Sequence, residues 1–373
     1  MKFSNASGSV GHAGTFERWF PTPHSLTPLS AGIDISDGSI KWLGLSETPQ
    51  GESRVATFGS KRLSDGIVSG GLVRDAGLLA DALREIKKEH VMLERAHAAL
   101  PEEVAYVFSM QVPEGSPRDQ ILRLIEFEFE GRVPIPPSSA VFDFDVISKH
   151  ESGTMEIGVV VFPRDIAESY VAAFETAGIE LLSLEIEARS IARAVSSDDV
   201  SEPTTLLVDF GFARTGFALL KCGVPIFTST VEVGGDPITR IVADKFSLSP
   251  EETELFKNEE GLLSARKDAK PVIDAMVATA ASLSEEISRH FHYWDTRRDA
   301  HGERVTPVER VLLVGGSSNL KGLSDFVSGK VQAVAEKANI WRNICSFDEY
   351  IPPIDQRTSL QYATAAGLAL RGK

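Results

Sequence analysis

Two stretches of this chain place an aspartate near the end of an apolar run and follow it with a turn of small or polar residues. The first is Gly32-Ile33-Asp34-Ile35-Ser36-Asp37-Gly38-Ser39-Ile40-Lys41; the second runs Val208-Asp209-Phe210-Gly211 and on through Phe212, Ala213 and Arg214 to Thr215. Apolar residues on both sides make each a strand–turn–strand hairpin. Such a turn aims successive backbone N–H groups at one point and forms a nest for anionic oxygens. An aspartate beside it holds Mg²⁺ through water, because Mg²⁺ keeps most of its hydration shell and takes one or two carboxylates. Alone, either turn reads as an ordinary turn whose aspartate satisfies nearby N–H groups. The two aspartates lie 175 positions apart, and a later apolar strand, Arg310–Val314, runs into Gly315-Gly316-Ser317-Ser318. That repetition points to a duplicated fold whose two hairpins clasp a triphosphate from both sides of a cleft.

Other candidates are weaker. Lys41 reads equally as a phosphate ligand and as an exposed strand residue. Glu187 has the chemistry to polarise an attacking water, yet it and Glu185 also fit as plain carboxylates at a helix start. His290 and His292 stand two apart on a helix and face different ways, which argues against a shared metal. Glu126, Glu128 and Glu130 alternate with Phe127 and Phe129 as a solvated flank beside core. No P-loop, Cys-x-x-Cys, His-Glu-x-x-His or Gly-x-Ser-x-Gly is present, which removes several enzyme classes. The formal charge, 38 − 53 = −15, argues against gripping nucleic acid or anionic lipid by the net field. Cys222 and Cys345 are too few for a disulfide framework, so a reduced, cytoplasmic setting is expected. No window reaches about 18 consecutive apolar residues, so no direct membrane span is expected.

The elements that must position these residues follow from periodicity. A length of 373 residues suits two domains. A leader over 1–30 carries the aromatic cluster Phe16–Pro21. Leu79, Leu83 and Ile86 give a helix over Ala76–Glu89, and strands at 96–100 and 106–112, a helix at 117–131, strands at 141–147 and 155–162, and a helix at 166–177 make a compact α+β unit. Ile273, Met276, Ala280, Leu283, Ile287, Phe291 and Trp294 step by threes and fours and demand a long amphipathic helix. A small-residue helix, 360–370, closes the chain.

On these motifs the sequence resembles the actin-like ATPase superfamily and, within it, the type IV pilus assembly PilM family, relatives of the cell-division protein FtsA. The stretch 32–41 is similar to the first phosphate motif and Val208–Gly211 with Thr215 to the second. Gly234-Gly235-Asp236 with Thr239 resembles the connecting motif, Glu252–Lys257 the motif whose Glu254 and Lys257 approach ribose and purine, and Val314–Leu323 the adenosine motif. Glu187-Ala188-Arg189 resembles the helix start that precedes the second phosphate motif. The resemblance implies an α/β, two-lobed actin-like fold of the ASKHA type, with an SHS2-like α+β subdomain inserted in lobe one and a helical subdomain in lobe two. It divides the chain into 31–96 with 184–203, the insert 97–183, 204–235 with 308–373, and the helical part 236–307. The cofactors implied are ATP and Mg²⁺. Asp34, Ser36, Asp37, Gly38, Ser39, Lys41, Asp209, Gly211, Thr215, Gly234, Gly235, Glu254, Lys257, Gly315, Gly316, Ser317 and Ser318 are the nucleotide-binding set. Asp34 and Asp209 flank the metal through water, and Glu187 is the candidate catalytic carboxylate. Ser36, Phe212, Ala213 and Arg214 depart from the usual small residues, which implies nucleotide binding with slow hydrolysis or none. The partner implied is the N-terminal cytoplasmic peptide of the inner-membrane protein PilN, seated between insert and lobe one, with other pilus inner-membrane and motor components around it. Self-association stays open. The expected location is the cytoplasmic face of the inner membrane, reached by recruitment. An FtsA-like division ATPase and an actin-fold small-molecule kinase are the alternatives. FtsA continues past its last helix into a membrane-binding one, whereas this sequence stops at Arg371-Gly372-Lys373.

Overall fold

The computed structural model describes residues 29–48, 51–197, 201–298, 304 and 306–371. The leader's aromatic cluster lies outside them. Strands β1 (Ala31–Ile35) and β2 (Ser39–Glu47) form the first hairpin, and β3 (Ser53–Arg62) adds a third antiparallel strand. A short hairpin of β4 (Val68–Ser69) and β5 (Leu72–Val73) leads to helix α1 (Ala76–Glu89). Asp75 caps that helix by accepting from the Leu78 amide, and Leu79, Leu83 and Ile86 are buried as their spacing demands. Strand β6 (Arg95–Leu100) then lies parallel to β1.

The inserted unit consists of β7 (Tyr106–Pro113), α2 (Arg118–Arg132), β8 (Ala140–His150) and β9 (Thr154–Pro163). Its three strands pair in the order β7-β9-β8. Helix α3 (Arg164–Ala177) and strand β10 (Glu180–Ile186) return to lobe one, where the five-stranded order is β10-β6-β1-β2-β3. The expected 97–183 boundary is therefore too wide. Both flanking strands belong to the lobe-one sheet, and Tyr170 and Phe174 of α3 share a core with Ile33, Leu79 and Leu83. Strand alternation explains how the insert is held. Met155, Ile157, Val159 and Val161 of β9 pack on Ile121, Ile125 and Phe129 of α2. The opposite face meets both lobes. Glu156 pairs with Lys221 at 2.6 Å, a Cβ on Gly158 would lie 2.6 Å from Val224, and Phe162 enters the lobe-one core.

Helix α4 (Glu187–Val195) crosses to lobe two, whose second hairpin is β11 (Thr205–Phe210) and β12 (Thr215–Lys221), extended by β13 (Val224–Val231). Helices α5 (Asp236–Phe246), α6 (Pro250–Glu259) and α7 (Lys270–Asp295) follow, then β14 (Arg310–Val314), α8 (Leu323–Val331) and β15 (Val334–Lys337). The sheet order is β13-β12-β11-β14-β15. The apolar stripe of α7 is buried in one core with Val208, Phe210, Val311 and Leu313, so this helix is the back of the lobe-two sheet and not part of a separate helical body. The short helix α9 (Gln356–Ser359) precedes α10 (Ala363–Leu370). Helices α4 and α10 lie between the two sheets. Their side chains join Leu43 and Leu45 of β2 to Leu207, Ala218, Leu312 and Val314 of lobe two in a single apolar layer.

That layer depends on small residues. A Cβ on Gly32 would stand 2.1 Å from the Ala365 carbonyl, and one on Gly367 would stand 1.7 Å from the Ser190 carbonyl. Gly367→Ala should therefore lower the unfolding free energy by about 1–3 kcal/mol in urea titrations, the usual cost of overpacking. Gly38→Ala, whose Cβ would meet nothing within 4 Å, should change it by less than about 0.5 kcal/mol.

Candidate functional site

Alternation along two central strands puts both aspartates on inward faces. In β1, Ile33 and Ile35 point into the lobe-one core, so Gly32 and Asp34 face the other way, towards α10 and lobe two. In β11, Leu206, Val208 and Phe210 point into the lobe-two core, and Leu207 and Asp209 face lobe one. Each aspartate thus stands near the C-terminal end of a central strand, beside a turn, on the side that meets the opposite lobe. Open α/β sheets place ligands at such strand ends.

The charges show how close they come. Asp34 is 7 % exposed, and burial raises its pKa while Lys41, its cross-strand partner with Nζ 3.9 Å from Oδ2, lowers it. Lys41 is part-buried, which decides against its reading as an exposed strand residue. Burial first, and the charge of Asp34 second, push Asp209 up to about 6, again offset by Lys41. Glu187, the first residue of α4, is raised well above the usual carboxylate range by burial and by Asp34, Glu102, Glu103 and Asp209. Its neighbour Glu185 turns away and pairs with Arg193 and Arg371, a structural role.

Glu102 completes the cluster and was not anticipated. It follows the last buried residue of β6 and accepts a hydrogen bond from the Ala188 amide, and burial pushes it up to about 8. The signal for it was present: two glutamates one residue past the end of a buried strand, after Pro101.

Backbone contacts knit the lobe-two motifs together. The Gly211 carbonyl accepts from the Gly235 amide at 3.1 Å and from Ser317 Oγ at 2.9 Å, and the Phe212 carbonyl accepts from the Asp236 amide at 2.8 Å. Gly234 and Gly235 permit this approach, since a Cβ there would stand 2.3 Å from the Phe212 carbonyl and 2.1 Å from Ser317 Oγ. Gly315, at φ +86°, passes so close to Asp209 that a Cβ would lie 2.3 Å from its Oδ1, whereas Gly316 is open. Lys257 is 3 % exposed and donates to Thr239 Oγ1 at 2.8 Å and to Glu254 at 2.6 Å.

Several residues chosen by type are committed elsewhere. Thr215 is fully buried and donates to the Val233 carbonyl at 2.5 Å; Ser318 is fully buried and donates to the Val314 carbonyl at 2.5 Å. Both hold turns in shape. Ser36 Oγ donates to the Ser39 carbonyl at 3.1 Å, closing its own turn. Asp37 accepts from the Gly70 and Gly71 amides at 3.1 Å each and pairs with Arg214, so its carboxylate anchors the turn. The open face of that turn is Gly38. His290 sits between Phe217 and Phe227, with centroid distances of 4.7 and 5.5 Å, as a core aromatic.

Raised carboxyl groups tie stability to pH. The folded chain keeps protons on Glu102 and Asp209 that the unfolded chain loses near pH 4 to 4.5, so the native state binds more protons above that point and stability falls as pH rises towards 8. Each unit of displacement is worth about 1.4 kcal/mol. The urea midpoint should drop between pH 6 and pH 9, and Glu102→Gln, which still accepts from Ala188, should make that drop smaller and stabilise the protein at pH 9, the remainder belonging to Glu187 and Asp34.

With the geometry laid out, its relatives are informative. The protein of a PilM–PilN type IV pilus biogenesis complex superposes with a TM-score of 0.72 at 21 % identity, over 92 % of this chain and 98 % of that one. The ethanolamine utilization protein EutJ of Carboxydothermus hydrogenoformans gives 0.52 at 19 %, over 92 % and 89 %. ADP-bound MreB5 of Spiroplasma citri gives 0.52 at 11 %, over 93 % and 96 %. All three share the two-lobed actin-like fold. Among the described residues no helix is long and apolar enough to cross a membrane. The family model for type IV pilus assembly protein PilM matches residues 32–373, and the chain belongs to that family.

Proposed function

We propose that this chain is a nucleotide-binding adaptor of a type IV pilus assembly complex, working at the cytoplasmic face of the inner membrane. The observation that carries the reading is the pairing of Asp34 and Asp209 across the interlobe cleft, each beside its turn, with Lys41 acting on both. The residues fit Mg-ATP. Carboxyl groups crowded out of water need a cation, and the amides of Asp37–Ser39 and Phe212–Arg214 suit phosphate oxygens. Asp34 and Asp209 would face a hydrated Mg²⁺, which keeps most of its water shell and takes one or two carboxylates. Gly234, Gly235, Glu254, Lys257, Gly315 and Gly316 would hold the nucleoside, with Ser36, Thr215, Ser317 and Ser318 supporting them from behind. Bound Mg-ATP supplies a mobile, highly charged bridge between the lobes.

Hydrolysis is not required of it. Glu187 is the carboxylate with the chemistry to act on water, but burial and the charges of Asp34, Glu102, Glu103 and Asp209 hold its pKa well above the usual carboxylate range. The nucleotide then acts as a conformational ligand. The insert touches lobe two through Lys221, Val224 and Pro225 and lobe one through Phe162. A change in lobe closure must shift the insert, and with it the groove against lobe one that would take the N-terminal peptide of a PilN-like membrane protein.

Calorimetry tests both halves. Mg-ATP should release heat on binding the wild type, and Asp209→Asn should weaken Mg²⁺-dependent binding about tenfold or more, as losing a contact to a charged group does. A peptide of the partner's cytoplasmic N-terminus should bind with an affinity that changes when Mg-ATP is present. A flat ATP titration, or a peptide affinity indifferent to nucleotide, overturns the corresponding half.

A further inference from the structure

The two turns are built alike except that the second ends in a long cation. Arg214 reaches from the lobe-two turn into lobe one and makes ion pairs with Asp37, in the opposite turn, and with Glu103, just past β6. Neither acid is loosely held. The Asp37 oxygens take the Gly70 and Gly71 amides at 3.1 Å each, and the Gly71 carbonyl accepts from the buried Tyr170 hydroxyl at 2.8 Å. Gly71 itself, at φ +69°, lies against Pro101, where a Cβ would come within 2.2 Å of the ring. Glu103 adjoins Glu102, which is pinned by the Ala188 amide. On the lobe-two side, the Arg214 carbonyl accepts from the Gly211 amide at 3.0 Å and fixes the turn that presents the side chain. The three side chains are about three-quarters buried, at 26, 31 and 24 % exposure, so salt screens them only in part.

We propose that Arg214 is a latch that holds the two turns together across the cleft, and that an anionic phosphate tail releases it by taking the guanidinium from Asp37 and Glu103. Guanidinium pairs as well with phosphate as with carboxylate, so the exchange leaves the cation satisfied while the two acids are freed to repel the ligand's charge and loosen lobe one's grip. The latch stands on the ion pairs alone. Only the identity of its competitor, a nucleoside triphosphate, rests on the proposed function.

Two variants separate the roles. In the nucleotide-free protein, hydrogen exchange at residues 36–39 and 211–216 should speed up about fivefold or more in Arg214→Ala and also rise in Glu103→Gln, the scale of losing one or two partly exposed ion pairs. Glu103→Gln leaves Arg214 available to phosphate, so a fluorescent ATP analogue with Mg²⁺ should associate faster with it than with wild type. Arg214→Ala, which lacks the phosphate partner, should bind the analogue more weakly. Wild-type exchange in either variant, or an unchanged association rate in Glu103→Gln, would overturn the latch. Failure of the wild type to take up any nucleotide would sink the proposed function and the assigned competitor, while the exchange comparison still decides the latch.

Discussion

Four carboxyl groups share the inner ends of two sheets, and the cost of keeping them there governs much else in the molecule. Asp34 and Asp209 reach that position because each occupies an inward register on a central strand, flanked on both sides, near the strand's C-terminal end. Glu102 follows β6 after Pro101 and Glu187 begins α4, so the ends of a strand and a helix add two more acids to the same patch. Water is largely excluded, which makes repulsion among them stronger than on the surface. The folded chain lowers that cost by holding protons, by setting Lys41 beside Asp34, and by turning the Ala188 amide onto Glu102. A hydrated cation carrying its own anion would lower it further. Instability of the free cleft and affinity for a charged ligand are two views of one arrangement.

The lobes are joined by a layer that suits movement. Helices α4 and α10 meet at Gly367 and Ser190, and α10 meets β1 at Gly32, so backbone approaches backbone with little side chain interposed. Small-residue contacts interlock less than long side chains do, and a shear between packed helices costs less across them. Arg193 donates to the Gly367 carbonyl at 2.9 Å and Ser190 to the Thr364 carbonyl at 2.7 Å, which fixes the pair of helices to each other. These two bonds tie α4 and α10 together, so the easy shear is expected at the contact of α10 with β1, around Gly32 and Ala365.

Much of this was legible in the chain. Hairpins at 31–47 and 205–221 and the helix at 270–295 follow from alternation and from steps of three and four, both of which are local. What escaped was set by distant partners. The strand at 96–100 reads as part of an α+β unit because it adjoins one, and the sequence pattern leaves Glu180–Ile186 unassigned; only the parallel pairing of β6 with β1 and of β10 with β6, the latter across some 80 residues, assigns both to lobe one. Thr215 and Ser318 have hydroxyls suited to a phosphate, but turn geometry spends those hydroxyls on carbonyls of Val233 and Val314. Residue type names a capability, and the fold decides its use. Arg214 stood out in the sequence only as a bulky departure, since nothing local shows that Asp37, 177 positions earlier, lies across from it.

The segment Pro101–Val104 is where these threads meet. Glu102 faces Asp209 and stands 3.3 Å from where a Cβ on Gly216 would be, so it reads the position of the lobe-two hairpin; Glu103 reads the same hairpin through Arg214. Two residues beyond Val104, at Tyr106, the chain enters the insert. Any shift of the second hairpin relative to β6 must therefore be taken up in a few residues that lead straight into β7, while β9 receives the same shift independently at Glu156 and Gly158. Two separate attachments moved by one hairpin will rotate the small sheet as a body more readily than they will bend it, because its own core, built on Phe129, Ile157 and Val159, is fully packed. A groove between that sheet and lobe one would then change shape along its whole length, and an extended peptide with several anchors would register the change where a single contact would not.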